Sequence, residues 1–395
     1  MTLLIRTPMV ARATDEPHRA SSQLELLFDL TFVIAIASLA RYFAAAIGHG
    51  DAVSEIVPFL QVFFAIWWAW VNFTWFASAF DTDDVPFRLL TLVQMVGVLV
   101  LAAGVPAALD HNDYRAVTFG YAIMRVGLIA HWLRAAVEDT ASRRTALRYA
   151  IGITVAEVAW ILRLVLDEAG LLSDSARLTV FVALVLFELS IPLWAERKGA
   201  TTWHPHHIAE RYGLFAIILL GESVFAASSG VERAVAAGGF SLPLVAIGAA
   251  ALALVFALWW LYFLQPAKEG LVVHRERSYI WGYGHYGLFA ALAAIGAGLE
   301  IAVEQTGHGV AASPVAVGYA IAIPVAIFVF LTWALHSPIV PEPVLRLPLV
   351  ASSCCVILLL PVAAGWVGVT VVLAAIAATC ASVVAITLIQ QGDPS

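Results

Sequence analysis

The chain has 395 residues, 62% of them hydrophobic and 12% charged, with a mean hydropathy of +0.89, and apolar stretches long enough to cross a bilayer recur along it. That pattern excludes a soluble globular protein and specifies an all-α polytopic membrane protein whose first partner is the lipid bilayer. The net charge of −7 is spread over short loops with no basic stripe interleaved with aromatics, so nucleic acid is not an expected partner.

The N-terminal segment, residues 1–23, carries Arg6, Arg12 and Arg19 but no apolar run followed by a small-residue cleavage site, so the first span itself is expected to direct insertion. Twelve spans are predicted near 24–47, 56–80, 86–109, 115–138, 144–168, 177–195, 208–230, 241–264, 280–304, 313–335, 347–366 and 368–390. Only a Gly-Trp-Val-Gly turn at Gly365 to Gly368 separates the last two, which leaves eleven open. With the N-terminus inside, fifteen of the 21 Lys and Arg fall on the cytoplasmic side. Five (Arg41, Arg115, Arg163, Arg177, Arg233) fall outside, and Arg125 is intramembrane. The asymmetry predicts a cytoplasmic N-terminus. Cys354, Cys355 and Cys380 lie in apolar runs and form no disulfide framework.

The halves also look related. FAIWW at Phe64 to Trp68 recurs as FALWW at Phe256 to Trp260, and GYAI at Gly120 recurs at Gly318, with offsets of 192 and 198. A 6+6 parallel duplication is expected, with repeats at 24–195 and 208–391 joined by a cytoplasmic linker at 196–207.

Ionisable side chains in hydrocarbon are costly, so each needs a partner, a wet cavity or a task. Asp29, Arg125, Glu157, Glu188, Glu222, His285 and Glu300 fall within predicted spans. Glu25 and Asp29, spaced i, i+4, share a face at the start of the first helix. Glu25 suits a helix start, whereas Asp29, one turn deeper, is expected to face the bundle interior. After the second helix, FDTDDVPFR sets Asp81, Asp83 and Asp84 within four positions. Pro86 fits the first turn of the third helix, which makes Asp83 or Asp84 its N-cap, and Asp84 can pair with Arg88 at i, i+4. Asp81 is left at a helix carboxyl end, unfavourable by about 0.3–1 kcal/mol unless a cation is near.

Arg125 lies deep in the fourth span, and Glu222, Glu157 or Glu188 is its expected partner. Glu222 sits about twelve residues, roughly 18 Å, along the seventh helix. In HPHHIAERYGLF, His206 and His207 precede Glu210 by four and three residues. One helical turn could thus offer an imidazole and a carboxylate to a divalent metal, with solvation among headgroups the alternative. No other cofactor is indicated. Trp67, Trp68, Trp70 and Trp75 are mostly too deep for an interfacial belt, and are expected to pack or, beside acids, to enclose a cation. No P-loop, GxSxG elbow or HExxH motif occurs.

Three segments, ELLFDLTFVIAIA, FDTDDVPFRLLTLVQMVGVLVLAAGVP and HPHHIAERYGLFAIILLGES, resemble the bacterial low temperature requirement protein A (LtrA) family over nearly the whole chain. The resemblance implies a multi-pass bacterial inner-membrane protein, associated by name with growth in the cold, and supplies no biochemical activity. The duplication and the intramembrane carboxylates point first to a proton- or cation-coupled secondary transporter of a small molecule. Asp29 and Glu222 would carry the ion, Arg125 would act as counter-charge and the aspartate cluster as cytoplasmic gate. Glu25, Arg88, Glu210 and His285 are further substrate- or ion-binding candidates. The second expectation is a membrane-embedded enzyme acting on an isoprenoid or other lipid. D-T-D-D resembles the D-x-D-D pattern of class II terpene cyclases, and that resemblance implies Asp83 as the acid, tuned by Asp81 and Asp84. The third is a structural or regulatory membrane protein without turnover.

Overall fold

A computed structural model describes residues 5–13, 16, 19–238, 241–306 and 310–392. Of the predicted N-terminal segment, residues 1–4, 14, 15, 17 and 18 therefore lie outside the described residues. The described residues form helices and connections without a strand. Twelve helices are long and apolar enough to cross a membrane. They are α1 (Gln23–His49), α2 (Ala52–Phe80), α3 (Val85–His111), α4 (Arg115–Glu138), α5 (Arg143–Glu168), α6 (Asp174–Ala195), α7 (Pro205–Gly238), α8 (Leu242–Phe263), α9 (Ser278–Glu304), α10 (Pro314–His336), α11 (Leu347–Leu359) and α12 (Val369–Gly392). A short helix, Ala267–Val273, follows α8, and α11 is prolonged by tight turns as far as Val367. Gly368 then takes a φ of 82° and separates α11 from α12, which makes the count among the described residues twelve and not eleven.

Local chemistry sets several helix starts. Ser173, Ser241 and Ser313 each accept a hydrogen bond from the third backbone N–H of the helix they open. Ser22 and Glu25 form a reciprocal box at the start of α1, the Ser22 hydroxyl accepting from Glu25 N at 3.3 Å and the Glu25 carboxylate from Ser22 N at 2.8 Å. Large apolar side chains remain on outer faces, as with Leu26, Leu30 and Ile34 on α1, while Phe28, Phe32 and Ala35 of the same helix are buried. An apolar exterior of this kind needs a bilayer around it, and this is a multi-pass membrane protein.

Backbone contacts divide the chain into two compact units, Met1–Ala35 with Phe64–Arg211, and Ile36–Phe63 with Tyr212–Ser395. Helices α1, α2 and α7 each contribute to both. In the first unit α3 and α4 pack backbone on backbone: a Cβ at Gly120 would lie 2.3 Å from Leu101 N and 2.6 Å from Gly97 O. In the second, a Cβ on Gly298 of α9 would lie 2.8 Å from the Ala320 carbonyl of α10.

Candidate functional site

The first unit carries three polar constellations. The aspartates after α2 divide their tasks. Asp84 caps α3, its Oδ1 accepting from Phe87 N at 3.0 Å. Arg134 of α4 grips the same carboxylate with two N–H groups at 2.8 and 2.6 Å, and Thr7 N donates to it at 2.9 Å. The expected pairing of Asp84 with Arg88 is therefore corrected: Arg88 is held bidentately by Asp83 at 2.8 Å. The cause is local. Asp83 adopts a left-handed φ of 47°, which aspartate tolerates, and Asp84 has both oxygens committed elsewhere. Burial works to raise Asp84, but the bonds from Arg134, Thr7 and Phe87 outweigh it and hold the carboxyl at about 2.

Asp81 does have its cations. Arg12 and Arg19 lie 3.7 and 3.6 Å from its Oδ2, and Arg19 also donates to the Ser78 carbonyl and, at 2.6 Å, to the Ala77 carbonyl, capping the end of α2. Burial, then the nearby Glu25 charge, pushes Asp81 up to about 6, and its Oδ1 has no hydrogen-bond partner among the described residues. The N-terminal segment is tied across the same helix ends through Met9 N to Glu138 at 2.6 Å and Ala11 N to Asp139 at 3.1 Å.

The second constellation is centred on Arg211 at the start of α7. Its Nε and Nη2 bind Asp29 at 3.0 and 2.5 Å, and its Nη1 binds Glu25 at 2.8 Å. Trp70 donates its indole N–H to Asp29 at 2.7 Å, and His207 Nε2 stands 3.0 Å from Glu25. All of these side chains are at most 1% exposed. Asp29 thus faces the interior as expected, with each oxygen engaged.

The third constellation lies along α4, α5 and α6. Arg125 binds Glu188 at 3.1 Å, choosing one of its three expected partners. Glu188 also accepts from Trp68 at 2.7 Å, Tyr121 at 2.9 Å and Trp160 at 3.1 Å, so four donors surround one carboxylate. Beside it, both oxygens of Glu157, a residue 7% exposed, and the Nε and Nη1 of Arg125 are buried without a hydrogen-bond partner among the described residues. An ionised carboxylate in that position lacks every donor, so a proton or a small cation is its natural companion.

In the second unit Glu222 is 6% exposed and makes no hydrogen bond or ion pair with a described residue; the charges acting on it are Arg41 and Glu300. His285 is fully buried. Its Nδ1 lies 2.7 Å from the Trp281 carbonyl, which can only accept, so Nδ1 carries the proton and Nε2 receives the Tyr262 hydroxyl at 3.2 Å. Among the proposed metal ligands, His206 is exposed, His207 is buried against Glu25, and Glu210 accepts from Ser21 N at 3.4 Å. Among the described residues no group of three or more His, Cys, Asp or Glu is placed to hold a metal.

A family model described as Bacterial low temperature requirement A protein (LtrA) matches residues 20–389. The chain belongs to the LtrA family. It is 27% identical over 277 residues to an uncharacterized protein of Rhizobium meliloti (strain 1021), a match that covers 66% of this chain and 64% of that relative. No solved structure matches. In this LtrA protein the residues that sequence reasoning undervalued are Arg19, Arg134 and Arg211, counted only as loop charges. The signal for Arg211 was available: it stands at i, i+4 from His207, on one face of α7, whereas the pairing of His207 with Glu210 looked to the i+3 position.

Proposed function

We propose that this LtrA protein is a proton- or cation-coupled secondary transporter of the bacterial inner membrane, with its N-terminus cytoplasmic and a 6+6 parallel duplication. The observation that carries the reading is Glu157, a buried carboxylate that no described residue serves as donor, beside an arginine with two nitrogens that find no acceptor among the described residues. Such a group changes partners at low cost, which an alternating-access cycle requires. The coupling role therefore moves from Asp29, which is locked to Arg211 and Trp70, to Glu157, with Arg125 as counter-charge and Glu222 as the second exchangeable acid. The Lys and Arg asymmetry supports the orientation. The glycine-mediated packing of α3 on α4 and of α9 on α10, the third and fourth helices of each half, supports the duplication.

The test is purified protein in liposomes holding a pH-sensitive dye, with an imposed pH gradient and a panel of alkali cations and small solutes. Wild-type protein should collapse the gradient when the coupled species is supplied, and Glu157→Gln should slow this at least tenfold. Wild-type liposomes that hold the gradient as long as empty ones across the panel defeat the proposal.

Asp81, pushed up to about 6 with one bare oxygen, favours a second reading. In it the D-T-D-D segment serves a membrane-embedded isoprenoid enzyme, and the acid is Asp81, since Asp83 is clasped by Arg88. Membranes incubated with prenyl diphosphates should then yield cyclised products that Asp81→Asn abolishes; absence of product removes this reading.

A further inference from the structure

Five basic residues at one end of the first unit make no ion pair with a carboxylate among the described residues: Arg143, Arg144 and Arg148 at the start of α5, and Arg197 and Lys198 in the turn after α6. Glu196, the nearest acid in sequence, is occupied by the Tyr149 hydroxyl at 3.0 Å and the Thr201 hydroxyl at 2.6 Å. The two basic groups are brought together by direct bonds. Thr145 donates to the Gly199 carbonyl at 2.9 Å, and Arg148 to the Ala195 carbonyl at 3.4 Å. The Arg148 guanidinium also lies 5.9 Å from the Trp194 ring.

Basic residues in a first helical turn oppose the helix dipole, and Ser142 gives α5 no side-chain cap, so an anion at that end would offset both. Below the charges the same face of α5 turns apolar. Arg144, Arg148, Ile151 and Val155 follow at i, i+4, i+7 and i+11, with Ile151 56% and Val155 51% exposed. Cations at the end of two membrane spans, a tryptophan at the same level and an apolar stripe running inward match a ligand with an anionic head and an apolar tail.

We propose that this ledge binds an anionic phospholipid, its phosphate held by Arg144, Arg148, Arg197 and Lys198 and one acyl chain lying along Ile151 and Val155. The site is separate from Glu157 and stands whether or not the protein transports.

The test uses the full-length protein in detergent, titrated with phosphatidylglycerol or with phosphatidylcholine of the same chains and read by native mass spectrometry. Phosphatidylglycerol should be retained and phosphatidylcholine stripped. Each basic residue near an anionic head contributes about fivefold, so the combined Arg144→Gln, Arg148→Gln and Lys198→Gln variant should bind roughly a hundredfold more weakly. A control with Arg115→Gln, Arg177→Gln and Arg346→Gln, the same charge change elsewhere, should bind as wild type. Equal retention of the two lipids, a ledge variant within threefold of wild type, or equal loss in the control overturns the proposal. So does displacement of the lipid by millimolar inorganic phosphate alone. If the combined variant does not fold, the exposed single changes Arg144→Gln and Lys198→Gln should each weaken binding about fivefold, and no change in either refutes the site.

Discussion

Arg211 and Arg125 are both buried in the first unit, 0% and 1% exposed, and they solve the problem of an interior guanidinium differently. Arg211 spends all three nitrogens on two carboxylates, and Trp70 and His207 stand against the same carboxylates. Arg125 spends one nitrogen on Glu188, which three neutral donors already satisfy, and leaves two nitrogens facing an environment that also contains the bare Glu157. A closed network holds helices in register, because every alternative arrangement strands a charge. An open one has several arrangements of similar energy, which is what a site that must change state needs.

The comparison can be broken by substitution, beginning where the largest loss is expected. Arg211→Ala strands Glu25 and Asp29 and should destabilise the protein by about 3–5 kcal/mol, read as thermal unfolding in detergent; a loss under 1 kcal/mol would show that the closed network carries no structural weight. Arg125→Gln should cost less, about 1.5–3 kcal/mol, because Trp68, Tyr121 and Trp160 continue to serve Glu188. Equal losses for the two arginines would erase the distinction.

The aspartates after α2 sharpen it at a smaller scale. Asp84, held at about 2, is depressed below its ordinary value, so its stabilisation is present at neutral pH and fades as pH falls from about 4 towards 2. Asp84→Asn should cost about 1–2 kcal/mol at pH 7 and progressively less towards pH 2, where the folded carboxyl is half protonated. Asp81, raised to about 6, works with the opposite sign: as pH climbs from about 4 to 6 the unfolded chain gives up this proton while the folded protein keeps it, so stability falls across that range and stays lower above it. Asp81→Asn should therefore raise the unfolding temperature at pH 7.5, by up to about 1 kcal/mol equivalent, and make no difference at pH 4; a lower unfolding temperature at pH 7.5 contradicts this. Glu157→Gln should show the smallest stability effect, within about 0.5 kcal/mol, since no bond is lost. A loss above 2 kcal/mol would reveal a hidden partner.

Most of the architecture was legible from hydropathy, because a bilayer tolerates only long apolar helices or closed barrels. Ten of the eleven breaks between spans carried charge; the last, between α11 and α12, rested on the uncharged Gly365 to Gly368 and was settled by one positive φ. Which acids and bases meet was less legible. Asp84 was readable as a cap, since capping is local, but its bond to Arg134 spans 50 residues and those of Asp29 to Arg211 span 182. Periodicity places a residue on a face and does not say which distant helix that face meets. The tryptophans of FAIWW were expected to pack or to enclose a cation, yet Trp68 acts as a hydrogen-bond donor to a carboxylate. The matching Trp259 and Trp260 are 45% and 47% exposed, so the same letters carry different tasks.

The tethering of Thr7, Met9 and Ala11 has a consequence for biosynthesis. The acceptors are Asp84, Glu138 and Asp139, which follow them by 77, 129 and 128 residues. At ordinary elongation rates the last of these is made on the order of ten seconds after the segment it holds. The earliest part of the chain thus waits untied while four helices are threaded into the membrane, and then fastens their ends. The grip is on alternate backbone N–H groups, so a proline at Thr7, Met9 or Ala11, with no N–H to give, would undo one fastening, and at Met9 it would also remove a fully buried side chain.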